Sequence, residues 1–415
     1  MHRRVLLVAV LVALLSAGCF SMDKLTSAST QLSMADEMLA HPPGSDTVPT
    51  GLTREFDLYL VRMTHEIYPG ASMGMWAFSL TPEDGSGSVP GPALRVNEGD
   101  TVIVNFHPGV SGFNHTIHWH GVDVPWQMDG VPFMTQKPVE AGETFTYDFI
   151  AKPAGTYWYH CHVDPTHHID MGMYGALIID PAPSHSDPHY DKEFLLMLDD
   201  MDRFHLEGGQ PATGNLPQGG DPSELQQYAN RQVSDSINRN PAISDKVTGS
   251  PARPQRNWTQ VTYAPYTADY NTFLINGVAY PNTPVLVVQK DSTIRIRVVN
   301  VGNELMTLHL HGHHMLVTHT DGVALSSPYW VDTLQIGPGQ RQDVYVKMSN
   351  PGMWELHDHI GRHTQNDNIF PGGAMTVLCY EGIEGCAEKG GHHHGGMRSG
   401  DLVDWRWNEL WQALP

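Results

Sequence analysis

The feature that most constrains this chain is that it repeats itself. Pro284–Val298 (PVLVVQKDSTIRIRV) runs parallel to Pro92–Phe106 (PALRVNEGDTVIVNF). His309-Leu-His311-Gly follows the second copy as His118-Trp-His120-Gly follows the first. Gly352-Met-Trp-Glu-Leu-His357-Asp-His359 then matches Gly155-Thr-Tyr-Trp-Tyr-His160-Cys-His162. Three segments in the same order, twice, mean two homologous units, each built from the same supersecondary pieces.

The pieces are strands. Glu55–Val61 and Thr101–Phe106 alternate apolar and polar residues, the period of a half-buried strand. Thr144–Ile150, Gly155–His160 and Gly175–Asp180 continue the pattern, and Glu193–Leu198 opens the second unit. The chain has 415 residues with 40 Gly and 30 Pro, which suits short strands joined by turns. No amphipathic helix stands out, so the predicted class is all-β, with β-sandwich domains. The predicted organisation is a leader over 1–19, a tether over 20–50, one sandwich over 51–183 and a second over 190–382. The second carries a polar insertion at about 203–257, with a short helix near 223–233 and strands resuming at 257–263; a tail runs from 383 to 415. A formal charge of −21 argues against nucleic acid as a partner.

Histidine is ordered. There are 25 His against 24 Lys plus Arg. On a strand, residues i and i+2 share a face, so a His-x-His pair aims two imidazoles at one place. Four such pairs occur, His118/His120, His160/His162, His309/His311 and His357/His359. Eight imidazoles suit copper and are too many for one mononuclear zinc. Cys161 sits inside the second pair, so its side chain faces the other way. His115 precedes His118 by three residues, and His168 and Met173 follow Cys161. Two His, one Cys and a weak axial Met are the donors of a blue electron-transfer copper. His167 is the alternative to His168, which the His-x4-Met spacing favours.

The motifs His115-Thr-Ile-His118-Trp-His120-Gly and His160-Cys161-His162-x5-His168-x4-Met173 resemble those of multicopper oxidases, laccases among them, over roughly residues 52–382. The resemblance implies cupredoxin-like Greek-key sandwiches and four coppers per functional unit. His115, Cys161, His168 and Met173 would hold the type 1 copper. His118 and His309 would hold the type 2 copper, and His120, His160, His162, His311, His357 and His359 the type 3 pair. Asp129, in Gln127-Met-Asp-Gly, resembles the family's carboxylate near the cluster and is read as a proton relay, with a plain Asp-Gly turn as the alternative. Cys161 would pass electrons from a small reducing substrate towards O2. Phenols and aromatic amines are the default substrates, Cu(I) or another metal ion a further option. Met73, Met75 and Met171 are candidates for shaping access. The Cys-to-His gap is two residues longer than in the laccase loop.

The second unit has Met306 where His115 would be mirrored and Asp358 where Cys161 would be. It cannot build a blue site. That resembles the two-domain multicopper oxidases with type 1 copper in domain 1 alone, and implies a homotrimer with oxygen sites at subunit interfaces. Copper nitrite reductase is the nearest alternative, but it lacks four His-x-His pairs. A copper electron carrier or store without turnover is another.

The first residues read as an export leader. Arg3 and Arg4 precede an apolar run, Val5–Leu15, and Ser16-Ala17-Gly18 is a small-residue cleavage region. Cys19 resembles a lipobox cysteine, which would anchor the protein to a membrane; a plain secretory leader is the alternative. Either places the mature protein in the periplasm or at the cell surface. Cys379 and Cys386 suit a disulfide in such a compartment. The tail carries a His tract, His392–His394, and Trp407 and Trp411 on one face of a possible helix.

Overall fold

A computed structural model describes residues 47–110, 114–182, 187–203, 270–383 and 386. The leader, the tether up to 46, nearly all of the polar insertion with its helix, the strand expected at 257–263, and the His- and Trp-rich tail lie outside the described residues.

Eight strands come first: β1 (Thr53–Tyr68), β2 (Ala71–Ser79), β3 (Gly91–Asn97), β4 (Thr101–Pro108), β5 (Ile117–His120), β6 (Phe145–Ile150), β7 (Gly155–Cys161) and β8 (Tyr174–Asp180). A six-residue helix, α1 (Pro165–Asp170), links β7 to β8. The strands form two four-stranded sheets, ordered β2-β1-β4-β6 and β3-β8-β7-β5. Phe56, Leu58, Val104, Trp119, Tyr147, Tyr159 and Leu177 fill the space between them.

Eleven more strands follow. They are β9 (Lys192–Met201), β10 (Thr272–Ile275), β11 (Leu286–Val288), β12 (Thr293–Asn300), β13 (Met306–Leu310) and β14 (Met315–Thr320). Then come β15 (Val323–Val331), β16 (Thr333–Ile336), β17 (Arg341–Lys347), β18 (Met353–Asp358) and β19 (Met375–Tyr380). They make a six-stranded sheet, β10-β9-β12-β17-β14-β15, and a five-stranded sheet, β11-β19-β18-β13-β16. Leu196, Ile296, Leu308, Val344 and Leu356 lie between these two. Each such side chain contributes about 1.5–3 kcal/mol on burial.

The repeat is visible in register. His118 pairs with His160 across β5 and β7, and His309 pairs with His357 across β13 and β18. Both strand pairs are antiparallel, so facing residues bring their imidazoles together.

A third apolar cluster joins the two sandwiches. Ile67, Trp158 and Ile178 from the first pack with Leu195, Met197 and Val299 from the second. β7 lies against β12 and β17. A polar seam runs beside the cluster: Arg297 donates to Thr156 Oγ1 at 2.7 Å and to Glu193 at 2.8 Å, and Arg95 donates to Glu193 at 2.9 Å. The first sandwich therefore turns its histidine-bearing sheet towards the six-stranded sheet of the second. The other histidine strands, β13 and β18, belong to the second sandwich's far sheet, about 10 Å further on.

Two local readings change. β2 is a full strand, and its Met73 and Met75 are buried in the inter-sandwich cluster. They pack the core and do not line an access path. The link between β7 and β8 is helical, where the alternation had shown strands alone.

Candidate metal centres

The first centre is buried. Cys161 ends β7, and its Sγ lies 3.1 Å from Nδ1 of His168 and 3.6 Å from Nδ1 of His115. The three donor atoms lie within 4.8 Å of one another, all on buried residues. α1 delivers His168; its start is set by Asp164 in a left-handed conformation (φ 48°) followed by Pro165. His167, one residue earlier, has its ring 5.8 Å from Trp76, which the His168 ring also approaches at 5.3 Å, and it does not join this group. Met173 is fully buried, and its carbonyl accepts the Cys161 N–H at 3.1 Å. Burial pushes the Cys161 thiol up to about 12 and the His115 imidazole down to about 3. Burial, with His115 and His167 nearby, holds His168 well below its ordinary range. Without a cation the site is thus neutral. A bound cation reverses that, because it favours the thiolate. One sulfur and two imidazole nitrogens converging in a dry pocket fit a soft or borderline metal such as copper.

The second centre is the histidine face of the first sandwich. Donor atoms of His118, His120 and His160 lie within 4.8 Å of one another. The His162 ring is 5.3 Å from His118. Trp158 stacks on His120 at 4.6 Å and on His160 at 4.4 Å, making a floor shared with the inter-sandwich cluster. His118 Nδ1 is 2.7 Å from the Asp129 carbonyl and 3.4 Å from its carboxylate. Gly130 permits this approach: it has φ 79°, and a Cβ there would lie 1.8 Å from the Ile117 carbonyl. His160 Nδ1 is 2.9 Å from the Cys161 carbonyl. Each carbonyl accepts a hydrogen bond from Nδ1–H and leaves Nε2 with its lone pair, the arrangement that readies an imidazole for metal. Burial lowers His120 to about 3, helped by Arg341, His118 and His162. Burial and His118 also hold His160 well below its usual range.

The third centre repeats the second on the far sheet. His309 Nδ1 lies 2.8 Å from the Asp332 carbonyl, and His357 Nδ1 lies 2.7 Å from the Asp358 carbonyl. The two Nε2 atoms of His311 and His357 face each other at 3.0 Å. The His309 ring is 4.8 Å from His311 and 5.4 Å from His359. Glu355 joins His311 and His357 in one group of possible ligands. This face is more open: the His311 side chain is 43% exposed, whereas the His118 side chain is 20% exposed. Among the described residues, ring contacts run within each set of four and none joins the two sets.

Several contributors escape a reading of motifs. Asp332 acts through its backbone carbonyl, which leaves no mark on residue type. Arg341, from the second sandwich, lies over Tyr157 and donates to the Thr156 carbonyl at 3.3 Å, beside the His120 strand. Gly339 sits so close that a Cβ would be 3.1 Å from His120 Cε1. Glu355 and Trp158 had a signal, since each alternates with a paired histidine on its own strand.

Residues 85–184 and 251–370 each match a family model described as multicopper oxidase. A solved blue copper oxidase from Nitrosomonas europaea is 33% identical, covering 79% of this chain and 86% of that one, with a TM-score of 0.61. The chain belongs to the multicopper oxidases. Its sandwiches are therefore cupredoxin folds, and copper is the metal that the family implies. This multicopper oxidase is also similar to an L-ascorbate oxidase of Cucumis sativus, 28% identical over 71% of the chain and 46% of the relative. Copper resistance protein A of Pseudomonas syringae pv. tomato is 30% identical over 63% of the chain and 42% of the relative. The chain thus spans less than half the length of these curated relatives. Cys379 and Cys386 form a disulfide at the end of β19. No helix among the described residues is long and apolar enough to cross a membrane.

Proposed function

We propose that this protein is a laccase-like oxidase that takes electrons one at a time from a small reducing substrate and passes them to O2, giving water. Bound copper supplies that redox chemistry. His115, Cys161, His168 and Met173 would hold the type 1 ion. His118 and His309 would hold the type 2 ion, and His120, His160, His162, His311, His357 and His359 the type 3 pair. Cys161 connects the two kinds of site by the shortest route available, since its own peptide neighbours are His160 and His162. Asp129 keeps a carboxylate 3.4 Å from His118 Nδ1, where it can hold a proton for the oxygen site.

The observation that carries this reading is the pair of matched imidazole sets, four on each sandwich, with Nδ1 capped by a carbonyl at the same two positions of each set. The sets lie on sheets that do not face one another within the chain. A cluster fed by all eight needs a second copy, and closure of such a head-to-tail contact gives a ring. A homotrimer is the assembly we propose. Phenols and aromatic amines are the proposed substrates, with Cu(I) as the other class to assay. Export is proposed from the leader, with Cys19 as a lipid anchor and a plain secretory leader as the alternative.

Copper analysis, oxygen uptake and sedimentation on the full chain test the reading together. Four coppers per chain, uptake of O2 and a trimer are the expected results. Two coppers per chain with nitrite turnover, or an active monomer, would refute it.

A further inference from the structure

The pocket of the second sandwich that corresponds to the Cys161 site is not simply vacated. The correspondence can be drawn through the backbone. In the first sandwich the Cys161 N–H donates to the Met173 carbonyl, and the Met173 N–H donates to the His168 carbonyl. In the second, the Asp358 N–H donates to the Ala374 carbonyl at 2.9 Å, and the Ala374 N–H donates to the His363 carbonyl at 2.8 Å. Cys161 pairs with Ile117 across its sheet, and Asp358 pairs with Leu308. Met306 stands three residues before His309, as His115 stands before His118. The four positions are thus Met306, Asp358, His363 and Ala374.

Two of them have become a polar clasp. Asp358 is 2% exposed and His363 is fully buried. Asp358 Oδ1 accepts the Thr307 hydroxyl at 2.9 Å and the Ile360 N–H at 2.8 Å. Its Oδ2 accepts the Thr307 N–H at 3.1 Å and lies at ion-pair distance, 3.2 Å, from His363 Nδ1. The other ring nitrogen, Nε2, is 3.2 Å from Glu304, which also pairs with Arg362. Phe273 stacks on the His363 ring at 3.8 Å. Thr307 completes the circuit: its carbonyl accepts the His359 N–H at 2.8 Å and its hydroxyl accepts the same N–H at 3.2 Å.

We infer that Asp358 and His363 form a metal-free clasp in the position of the lost blue site, and that Asp358 is a positioning residue for His309, His357 and His359. The carboxylate ties the end of β18, flanked by two of those histidines, to Thr307 on β13, two residues before the third. In the first sandwich a metal–thiolate bond would hold the matching strands together. In the second, a carboxylate with three hydrogen bonds and the His363 ring 3.2 Å away does so, and it does so before any copper arrives. That matters on the more open of the two histidine faces, where burial does less to fix the imidazoles. The inference rests on the proposed oxidase reading, because it takes the histidines as ligands.

The test is copper binding by the full chain, titrated against a competing chelator. The Cys161 site is followed by its blue absorption, total copper by metal analysis, and the melting temperature is taken on copper-free protein. Removing a group that orients a metal ligand weakens the metal by roughly 10–100-fold. Asp358→Asn is expected to lower affinity at the histidine sites by about that factor with the blue band intact, and to lower the copper-free melting temperature as well, because buried hydrogen bonds between β13 and β18 are lost. Thr307→Val, which removes only the shared hydroxyl, is expected to lower it severalfold, and it keeps the test decisive if Asp358→Asn does not fold. Unchanged affinity in either folded variant overturns the clasp. So does a further copper in the wild type that His363→Gln loses, since the pocket would then be a metal site. Wild-type protein that loads the Cys161 site and never the histidines overturns the oxidase reading instead, and the clasp with it.

Discussion

The sulfur of Cys161 lies 3.1 Å from Nδ1 of His168, both on residues almost wholly withdrawn from solvent. Such a contact between a thiol and an imidazole nitrogen, with His115 alongside, should give an intense blue absorption once copper is present. Cys161→Ser and His168→Ala are each expected to abolish the band. His167→Ala is expected to keep it, because that residue stands outside the group formed by His115, Cys161 and His168. Visible spectra of the copper-loaded variants decide, and a colourless His167→Ala would reverse the assignment.

Asp129 touches His118 in two ways, and a substitution separates them. Asp129→Asn keeps the backbone carbonyl that fixes His118 Nδ1 and removes the charge near it. Copper content should stay at the wild-type level. The rate of O2 uptake should fall by about 10²-fold or more if the carboxylate handles protons. A rate within twofold of wild type would leave Asp129 as a turn residue.

Gly339 brings the second sandwich against His120. It has φ 76°, and an added Cβ would sit 3.1 Å from His120 Cε1. Gly339→Ala is expected to cost about 1–2 kcal/mol from the left-handed backbone alone, and to disturb the histidine site further. Urea unfolding of the copper-free variant measures the first part. Copper affinity measures the second, and an unchanged affinity would show that His120 can yield.

Asp200 gives a pH dependence. Burial pushes its carboxyl up to about 6, against the pull of N–H groups from Asn303 and Glu304. An unfolded Asp titrates near 3.9. Between those values the folded state holds the extra proton, so this group's stability contribution is complete below about pH 4 and is lost as pH rises through about 6. The slope is on the order of 1 kcal/mol per pH unit. Asp200→Asn should flatten it, leaving a residual slope from Asp199, which burial and Asp200 itself also push well up. Urea midpoints at pH 4.5 and pH 7 are the comparison; identical slopes in both proteins would exclude Asp200 as the cause.

The centres were legible in the sequence where chemistry demands a residue type at a fixed spacing. A His-x-His pair on a strand has one geometric meaning, and four of them in two matched copies leave little choice. Met306 and Asp358 were equally legible, as broken positions in a repeat. What escaped has a physical reason in each case. β2 reads ASMGMWAFS, and a glycine amid methionines hides its alternation. α1 is too short to show a period. The role of Asp332 lies in a carbonyl that every residue owns. His363 stands five residues after Asp358 whereas His168 stands seven after Cys161, so the match appears only through the hydrogen bonds that frame both loops.

The two imidazole sets lie on different sheets of the chain, and that has a consequence for safety. On the proposed ligand assignment, a lone chain would own every ligand and yet have no spot where O2 could meet all of them. It would fold, close its disulfide and take up a blue copper while still inert towards oxygen. Half-finished oxygen chemistry releases toxic fragments, and in the proposed assembly that danger would be held back by architecture. In the proposed assembly the catalyst would come into being only when neighbours meet, so concentration itself would act as the arming step.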